Sequence, residues 1–414
     1  MPFYQPNYLQ QAYDWLCQRR KNYHFNSDVW HLRANWETEK EKILAALKNG
    51  TYQLEAVTKI STPGRIVHVW SAKDALVLKM VAIHLGKVLA PILSDNIYHL
   101  AGTAEEKKGH KAAVQNVYAA LPDYQFVFRT DVKGYYASIQ HEVLFNICRQ
   151  YIEDPFILKL IRQYLRHHVY DDGIYRSVQK GISLGCPLSP LMGALCLKPL
   201  DDAMEKTGLF YLRFMDDWVV LSPTRWKLRK AIATVNQCLN DLRFEKHPDK
   251  TSIGRTDNGF DFLGYHFQTI ATPHPVVTTE PDYVPSDTET SSYCATTDEV
   301  VPLDLPTSVL SAIGIFDSTD LAIIKETTSS EVIAIADTVP TKCTAPQPTD
   351  VPNAPPKKIV RLSVAQKTID NFLAKISQLY EQGASFERIG KYVSRWKQWV
   401  LSVPITVFRC SEPF

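Results

Sequence analysis

The sequence predicts an α+β fold, in which helices and strands alternate along most of the chain. Two apolar runs rich in strand-forming residues, 126–139 and 211–221, are each followed by segments with helical periodicity. The 414 residues are 45% hydrophobic, which is enough to form substantial cores. The length favours two or three domains over a single small module.

The predicted elements follow one another in a clear order. Helices are expected over residues 7–50, with a cap region at residues 26–28. A hairpin around Pro63 and Gly64 then leads into a long apolar helix over residues 75–89. The strand that ends at Asp131 is followed by helices over residues 141–168, a loop, and a helix from Pro190 to about residue 206. A hairpin and a helix over residues 225–242 come next.

Three aspartates in strand-like surroundings are the main chemical signal. Asp216 and Asp217 interrupt the apolar run at 211–221, where adjacent carboxylates repel each other unless a cation is bound. Asp131 supplies a third carboxylate from the upstream run. Carboxylates that converge from different strands suit two-metal phosphoryl transfer. We therefore expect nucleotidyl transfer, and the alternative for Asp216 and Asp217 is a solvated turn.

The chain resembles the reverse transcriptases, in particular the bacterial enzymes related to group II introns, retrons and diversity-generating elements. The likeness is carried by motifs in family order from about residue 40 to residue 266. Besides the aspartate segments, these are NGTYQ at 49–53, GHKAA at 109–113, GISLGCPLSP at 181–190, HPDKT at 247–251 and FLGY at 262–265. The resemblance implies a right-hand polymerase fold, with fingers and palm built from antiparallel sheet plus helices and with an α-helical thumb.

The resemblance also implies an RNA-directed DNA polymerase that adds dNTPs to a 3′-hydroxyl. Two Mg²⁺ ions, which Mn²⁺ can replace, are the expected cofactors. Asp131, Asp216 and Asp217 match the metal-binding aspartates, and Val132 would offer its backbone carbonyl. Lys250 matches the lysine that protonates the leaving pyrophosphate, with the nearby Lys246 as the alternative.

The nucleotide pocket is expected around two tyrosines. Tyr136, beside Tyr135, matches the bulky residue that collides with a ribose 2′-hydroxyl, and its alternative role is that of a buried aromatic. Lys59, Arg65 and Lys73 flank the presumed fingers hairpin, where the family places basic side chains on the triphosphate. A solvated basic face is the alternative for these three.

Two positions depart from the family pattern. Leu184 precedes Gly185 where many members have Gln, and Phe214 stands where many have Tyr. Each change removes a hydrogen-bonding group, so we expect an unusual pocket. The residues implied to contact template or primer are Ser189, Pro190, Phe214, Met215, Phe262, Leu263, Gly264, Tyr265, Arg388, Lys391, Arg395 and Lys397. For the last four, the alternative is a packed helical domain with a solvated face.

An acidic segment interrupts the polymerase-like sequence. Residues 268–356 contain 13 acidic residues and two lysines, so the net charge of this segment is −11. Because the net charge of the whole chain is +2, the remaining residues carry a net charge of +13. A basic remainder suits a surface that tracks phosphates. The segment is rich in Thr and Pro, and it is predicted to be either a disordered linker or a small β-rich module with strands at 309–316 and 321–339.

The predicted domains are residues 1–125 (N-terminal helices and fingers), 126–267 (palm, with 140–195 contributing to fingers and palm), 268–358 (acidic insertion) and 359–414 (helical thumb). Because the sequence ends at Phe414, no endonuclease domain of the kind found in mobile-intron proteins is expected. The eight cysteines contain no Cys-x-x-Cys pair, so neither a zinc site nor a disulfide framework is expected. Without a signal sequence or a membrane-spanning run, a cytoplasmic location is expected.

The expected role is bacterial antiviral defence with a noncoding RNA. Retroelement mobility and CRISPR adaptation are the enzymatic alternatives, and an RNA-binding splicing cofactor on a polymerase scaffold is the non-enzymatic one. The expected partners are an RNA template, dNTPs and a DNA or RNA primer, with priming from a protein hydroxyl left open. A protein partner is expected at the acidic insertion, and no membrane partner is expected.

Overall fold

The computed structural model describes residues 2–62, 65–100, 108–271, 358–400 and 402, with the backbone alone at 61, 62, 65–67, 271 and 358. Helices and strands alternate as predicted, and the α+β class is confirmed. The chain divides into two compact units, Met1–Thr256 and Asp257–Phe414.

The first unit opens with helices, as predicted. These are α1 (Pro6–Arg19), α2 (Asp28–Ala34) and α3 (Trp36–Lys48), and the hairpin of β1 (Val57–Thr62) and β2 (Arg65–Val69) leads to α4 (Ala72–Leu89). Helix α4 begins three residues before the predicted start because the side chain of Ser71 caps it, accepting a 3.1 Å hydrogen bond from the Asp74 N–H.

The middle of the first unit contains a hairpin that the sequence analysis assigned wrongly. The order is α5 (His110–Ala120), β3 (Phe126–Asp131), α6 (Tyr135–Ser138), α7 (His141–Tyr151) and α8 (Pro155–Leu165), and then β4 (His168–Asp171) and β5 (Ile174–Ser177). Helix therefore ends at Leu165 instead of residue 168. Asp172 and Gly173 both have positive φ, at 47° and 82°, and form a two-residue turn that favours a hairpin.

The rest of the first unit alternates between helices and strands. It comprises α9 (Ser189–Cys196), α10 (Lys198–Glu205), β6 (Phe210–Phe214), β7 (Asp217–Ser222), α11 (Arg225–Asp241) and β8 (Ser252–Arg255). The strands form two sheets. We call β6-β7-β3-β8, which is antiparallel throughout, the central sheet, and β2-β1-β4-β5, in which β1 and β4 are parallel, the N-terminal sheet. One hydrophobic core runs through this unit, from Phe3 to Phe244.

The second unit combines a small sheet with two helices. Its elements are β9 (Phe260–Phe262), β10 (Tyr265–Ala271), β11 (Lys358–Val364), α12 (Gln366–Glu381) and α13 (Phe386–Val400). Strands β10 and β11 pair in antiparallel register from Tyr265 opposite Val364 to Ala271 opposite Lys358. Ala271 and Lys358, the described residues on either side of 272–357, therefore lie opposite each other at one end of this ladder.

Several sequence predictions fall on residues that the structure does not describe. The strands predicted at 309–316 and 321–339 lie outside the described residues, as do Cys294, Cys343 and Cys410. Cys17, Cys148, Cys186, Cys196 and Cys238 are free thiols. No helix within the described ranges has the length and apolar character required to cross a membrane.

Candidate active site

The central sheet brings the three predicted carboxylates to one end of two neighbouring strands. Asp131 ends β3 and lies directly opposite Asp217, which begins β7. Phe214 also pairs with Asp217, so Met215 and Asp216 form the two-residue turn between β6 and β7. Burial and the negative charges of Asp131 and Asp217 raise the pKa of Asp216 to about 7.

Each of the other two aspartates is held by a basic side chain. Arg129 donates two hydrogen bonds to Asp217, from Nε at 3.1 Å and from Nη2 at 2.8 Å. Lys250, on the 3₁₀ turn before β8, forms an ion pair with Asp131. Burial raises the pKa of Asp217, and the bonds from Arg129 oppose that rise. Sequence reasoning did not anticipate Arg129, although it lies two residues before Asp131 on the same strand.

The donor set fits a hard divalent cation only in part. Asp131 and Asp216 face each other closely enough to repel, and a cation between them would relieve that repulsion. Asp217 instead points to Arg129. Within the described ranges, no three His, Cys, Asp or Glu side chains group as a metal site. Val132, which follows Asp131, is buried, and the two hydrogen bonds that flank it use the Asp131 carbonyl and the Lys133 N–H.

A buried ion pair holds the turn between β6 and β7 in place. Arg213, the penultimate residue of β6, is fully buried and binds Asp201 of α10 through Nε at 2.8 Å and Nη2 at 2.5 Å. Tyr211 donates a further hydrogen bond to Asp201 at 2.7 Å. The remaining amino group of Arg213 donates to the Met215 carbonyl at 2.7 Å. Removing either charge would leave the other buried and unpaired, so the pair fixes the turn.

Met215 adopts an unfavourable backbone conformation at the first position of the turn. Its φ is 60°, in the left-handed region that glycine prefers and that costs other residues about 1 kcal/mol or more. Its N–H donates to Nδ1 of His99 at 3.0 Å. Burial and the charge of Arg213 lower the pKa of His99 to about 3, so its ring is neutral. Phe214 packs edge-on against the rings of His99 and His110.

The predicted gate residue lies beside the aspartates. Tyr136 is on the short helix α6, and burial together with the charge of Asp216 raises the pKa of its phenol. Its hydroxyl is buried and has no hydrogen-bond partner among the described residues. Tyr135 donates to the Gly193 carbonyl at 2.5 Å. A Cβ on Gly193 would lie 3.0 Å from the Tyr136 ring, so a larger residue here would require the ring to shift by a few tenths of an ångström.

The loop that carries Leu184 and Gly185 is docked on the Tyr136 segment. The Gly181 N–H donates to the Ile139 carbonyl and the Ile182 N–H to the Tyr136 carbonyl, both at 2.8 Å. Leu184 is 41% exposed, and Gly185 has a positive φ of 91°. This exposure leaves the leucine side chain accessible at the tip of the loop.

Helix α9 begins at Ser189 and Pro190, where a buried hydroxyl network holds the loop. Ser189 donates to the Ser183 carbonyl at 2.6 Å and lies 2.6 Å from the Tyr164 hydroxyl. Trp70, just before α4, donates to the Ser183 hydroxyl at 3.0 Å. Ser189 is fully buried, so it positions the loop and is not exposed to solvent. Trp70 and Tyr164 were not predicted as supports of this loop.

The basic residues assigned to the triphosphate are largely engaged within the N-terminal part. Lys59 forms a 2.7 Å ion pair with Asp171 of β4, and Lys73 forms one with Glu39 at 2.5 Å. Hydrogen bonds from Lys73 and Lys42 lower the pKa of Glu39 to about 2. The side chain of Arg65 lies outside the described residues.

In the second unit, the FLGY motif forms the tight turn between β9 and β10. Phe262 and Tyr265 are buried, and Leu263 and Gly264 take positive φ values of 50° and 85°. A Cβ on Gly264 would lie 3.0 Å from the Trp399 ring of α13. The buried rings serve as core, so contacts to a primer would come from the turn itself.

The predicted basic residues of α13 line a cavity against α12. The cavity has a volume of about 530 Å³, and its lining includes Lys375, Arg388, Lys391 and Arg395. Lys391 also forms a 2.5 Å ion pair with Glu387. Lys397 lies on the same helix, outside this lining. The cavity is therefore strongly basic and suited to anions.

A protein-family model matches the segment that contains these strands and carboxylates. The family model described as reverse transcriptase (RNA-dependent DNA polymerase) matches residues 65–267. The matched segment contains Asp131, Asp216, Asp217 and Lys250. Residues 65–267 are a reverse transcriptase domain. This match agrees with the resemblance that the motifs of the sequence predict.

Several known proteins are similar to the reverse transcriptase domain and its flanks. Protein YkfC of Escherichia coli (strain K12) is 21% identical over 282 residues, which cover 56% of this chain and 72% of YkfC. Group II intron-encoded protein LtrA of Lactococcus lactis subsp. cremoris is 25% identical over 216 residues, which cover 51% of this chain and 35% of LtrA.

Among solved structures, a chain of a partial Cas6-RT-Cas1–Cas2 complex is 22% identical, with a TM-score of 0.36 over 58% of this chain and 41% of that chain.

Proposed function

We propose that the reverse transcriptase domain extends a 3′-hydroxyl on an RNA template by two-metal catalysis, with Asp131 and Asp216 as the principal metal ligands. The observation that carries this proposal is the pairing of the end of β3 with the turn before β7. It places Asp131 where its negative charge raises the pKa of Asp216, and this arrangement of carboxylates is unfavourable without a cation. Bound Mg²⁺ or Mn²⁺ would stabilise the attacking and leaving oxygens.

Asp217 acts in this proposal mainly through its ion pair with Arg129, which fixes the start of β7. Val132 would complete the ligand set through its backbone carbonyl. Lys250 neutralises Asp131 through their ion pair. With a cation on Asp131, the Lys250 ammonium group would be free to face the phosphates and to donate a proton to the leaving pyrophosphate.

Tyr136 acts as the steric gate against ribonucleotides. Its ring is held by the close approach of Gly193, and its hydroxyl lies under the charge of Asp216 without a protein partner among the described residues. A ring packed this closely resists displacement by an extra oxygen atom. Leu184 and Gly185 form the adjoining wall of the nucleotide pocket, in which the leucine supplies packing without a hydrogen bond.

The incoming triphosphate is bound by basic residues of the N-terminal sheet and of α4. Lys59 and Lys73 pair with Asp171 and Glu39 in the free chain, so each must exchange its carboxylate for phosphate oxygens. Arg65 has the planar fork that suits such oxygens best.

The basic cavity between α12 and α13 binds the phosphate backbone of the template–primer duplex. Arg388, Lys391 and Arg395 surround it, and Lys397 extends the charge along the helix. Such contacts bind without sequence preference and weaken with salt. The Leu263–Gly264 turn would contact the primer strand through its backbone.

For the biological role, we propose antiviral defence with a structured noncoding RNA, in which the acidic residues 272–357 contact a protein partner. Their net negative charge disfavours a place in a nucleic-acid groove. Sequencing the nucleic acid that copurifies with the chain tests this role. A single recurrent structured RNA supports it, whereas intron or spacer sequences support retroelement mobility or CRISPR adaptation.

Primer extension with three single variants tests the catalytic proposal. Asp131→Asn and Asp216→Asn should abolish Mg²⁺-dependent incorporation, because each removes a metal ligand. Asp172→Asn, at an exposed turn of the N-terminal sheet, is the matched control and should extend the primer normally. An RNA-binding splicing cofactor would bind RNA equally well in all three variants and would show no incorporation in the wild type.

A further inference from the structure

We propose that His99 is a positioning residue that holds the turn bearing Asp216 and links it to the start of α9. This inference rests on the proposed function of the same site. It concerns the backbone of the turn, where Met215 needs partners for both its N–H and its carbonyl.

Residues 96–98 pair with β6 through backbone hydrogen bonds, and this pairing places His99 beside the turn. The Arg213 N–H donates to the Asn96 carbonyl, and the Tyr98 N–H donates to the Arg213 carbonyl, both at 2.9 Å. Ile97, between these two residues, forms a bridge to Arg213 and is buried. Residues 96–98 thus lie along the edge of β6, and the next residue, His99, reaches the end of that strand.

The two ring nitrogens of His99 have different partners. Nδ1 accepts the hydrogen bond from the Met215 N–H at 3.0 Å, and Nε2 lies 3.4 Å from the Pro190 carbonyl. Because Nδ1 accepts a hydrogen, it carries no proton, and the hydrogen of the neutral ring is on Nε2. These two partners therefore define the tautomer of His99, in which Nδ1 accepts from the Met215 N–H and the Nε2–H group donates to the Pro190 carbonyl.

Together, His99 and Arg213 hold Met215 from two sides. His99 takes the N–H, and Arg213 donates to the carbonyl at 2.7 Å. The pairing of Phe214 with Asp217 closes the turn around Met215 and Asp216 without fixing the plane of the Met215 peptide. With both peptide groups held, the positive φ of Met215 persists and Asp216 keeps its direction.

The contact with Pro190 gives this arrangement a second consequence. Pro190 is the second residue of α9, and the loop of Leu184 and Gly185 leads into that helix. A single imidazole thus touches the turn that carries a metal ligand and the helix that follows the nucleotide loop. Loss of the Nδ1 contact should impair metal binding and turnover, whereas affinity for the template–primer should be unaffected.

Two amide substitutions of His99 test the contacts of its two ring nitrogens separately. In His99→Asn, the side-chain oxygen can occupy the position of Nδ1 and accept from Met215. In His99→Gln, the longer side chain reaches the position of Nε2 and loses the Met215 contact. Both amides are polar and smaller than or similar in size to imidazole, so both chains are expected to fold. The readouts are kcat and KM for dNTP, and the rise in Tm that Mg²⁺ causes without substrate.

We expect the kcat of His99→Asn to stay within about threefold of the wild-type value. Its Mg²⁺-induced rise in Tm should stay within a few degrees of the wild-type rise. His99→Gln should lose roughly tenfold or more in kcat, as expected for one lost positioning contact, and most of the Mg²⁺ response. Equal losses in the two variants, or wild-type behaviour of His99→Gln, would overturn the assignment. A wild-type chain that binds Mg²⁺ but extends no primer contradicts the proposed function, while the Mg²⁺ response of the variants still tests His99.

Discussion

Replacing Asp216 by asparagine should stabilise the metal-free chain at pH 8 even though it removes a catalytic group. The pKa of Asp216 is raised to about 7 from 3.8. The folded state therefore binds more protons than the unfolded state between these values, and its stability falls as pH rises from about 4 to about 7. Above pH 7 the full penalty of the ionised carboxylate is present. Asparagine keeps the shape of the side chain without its charge.

The size of the effect follows from the pKa. A rise of about 3 corresponds to about 4 kcal/mol at roughly 1.4 kcal/mol per pKa unit. Asp216 is half-buried, and screening by solvent reduces this to about 2 kcal/mol. For a unit of this size, the expected gain in Tm is about 4–8 °C. The gain should vanish near pH 4, where the native carboxyl is already protonated.

Thermal unfolding in chelator, followed by circular dichroism at pH 4 and pH 8, measures this difference. Addition of Mg²⁺ at pH 8 should stabilise the wild type and not Asp216→Asn, because the cation removes the same repulsion. Asp172→Asn is the control and should match wild type throughout. A Tm for Asp216→Asn at or below that of wild type at pH 8 would refute the reasoning about the carboxylate pair.

Three further predictions address the gate, the basic cavity and the acidic segment. Tyr136→Ala should raise the incorporation of ribonucleotides relative to deoxynucleotides in single-nucleotide assays. Gly193→Ala should raise it more weakly, because the added methyl group displaces the Tyr136 ring. An unchanged ratio would mean that Tyr136 has only a packing role. Neutralising Arg388 and Arg395 with glutamine should reduce the slope of log affinity against log salt by about 2, measured by fluorescence anisotropy; a slope equal to wild type would place the duplex elsewhere. Replacing residues 272–357 with Asn-Gly should preserve primer extension, because Ala271 and Lys358 already face each other across a ladder that a two-residue turn can close. Loss of extension by the folded deletion protein would instead assign the segment to the polymerase. Loss of phage protection by the same deletion in cells is expected.

Much of the arrangement around the aspartates could be predicted from the sequence. Apolar runs rich in strand-forming residues identify β3 and β7, and an Asp-Asp pair within such a run predicts a turn that carries charge. Pro190 marks the start of α9 because proline suits the first turn of a helix. These signals are local, so they can be interpreted without knowledge of the tertiary packing.

The supports of the site depend on contacts between distant residues and could not be predicted in this way. The bond between Asp201 and Arg213 links α10 to β6, and the bond between His99 and Met215 spans 116 positions of sequence. Nothing in the spacing of a lone histidine indicates such a partner. The hairpin of β4 and β5 is different, because Asp172-Gly173 is a recognised turn signal that the sequence analysis overlooked.

Mg²⁺-dependent primer extension by the double variant Asp216→Ala, Asp217→Ala is the most direct test of the central claim, that the paired ends of β3 and β7 hold the catalytic metal ions. The assay uses an RNA template, a DNA primer and dNTPs, with circular dichroism to establish that the variant is folded. We predict that the folded variant incorporates no nucleotide at any Mg²⁺ concentration while still binding the template–primer. Extension at the wild-type rate would contradict the account.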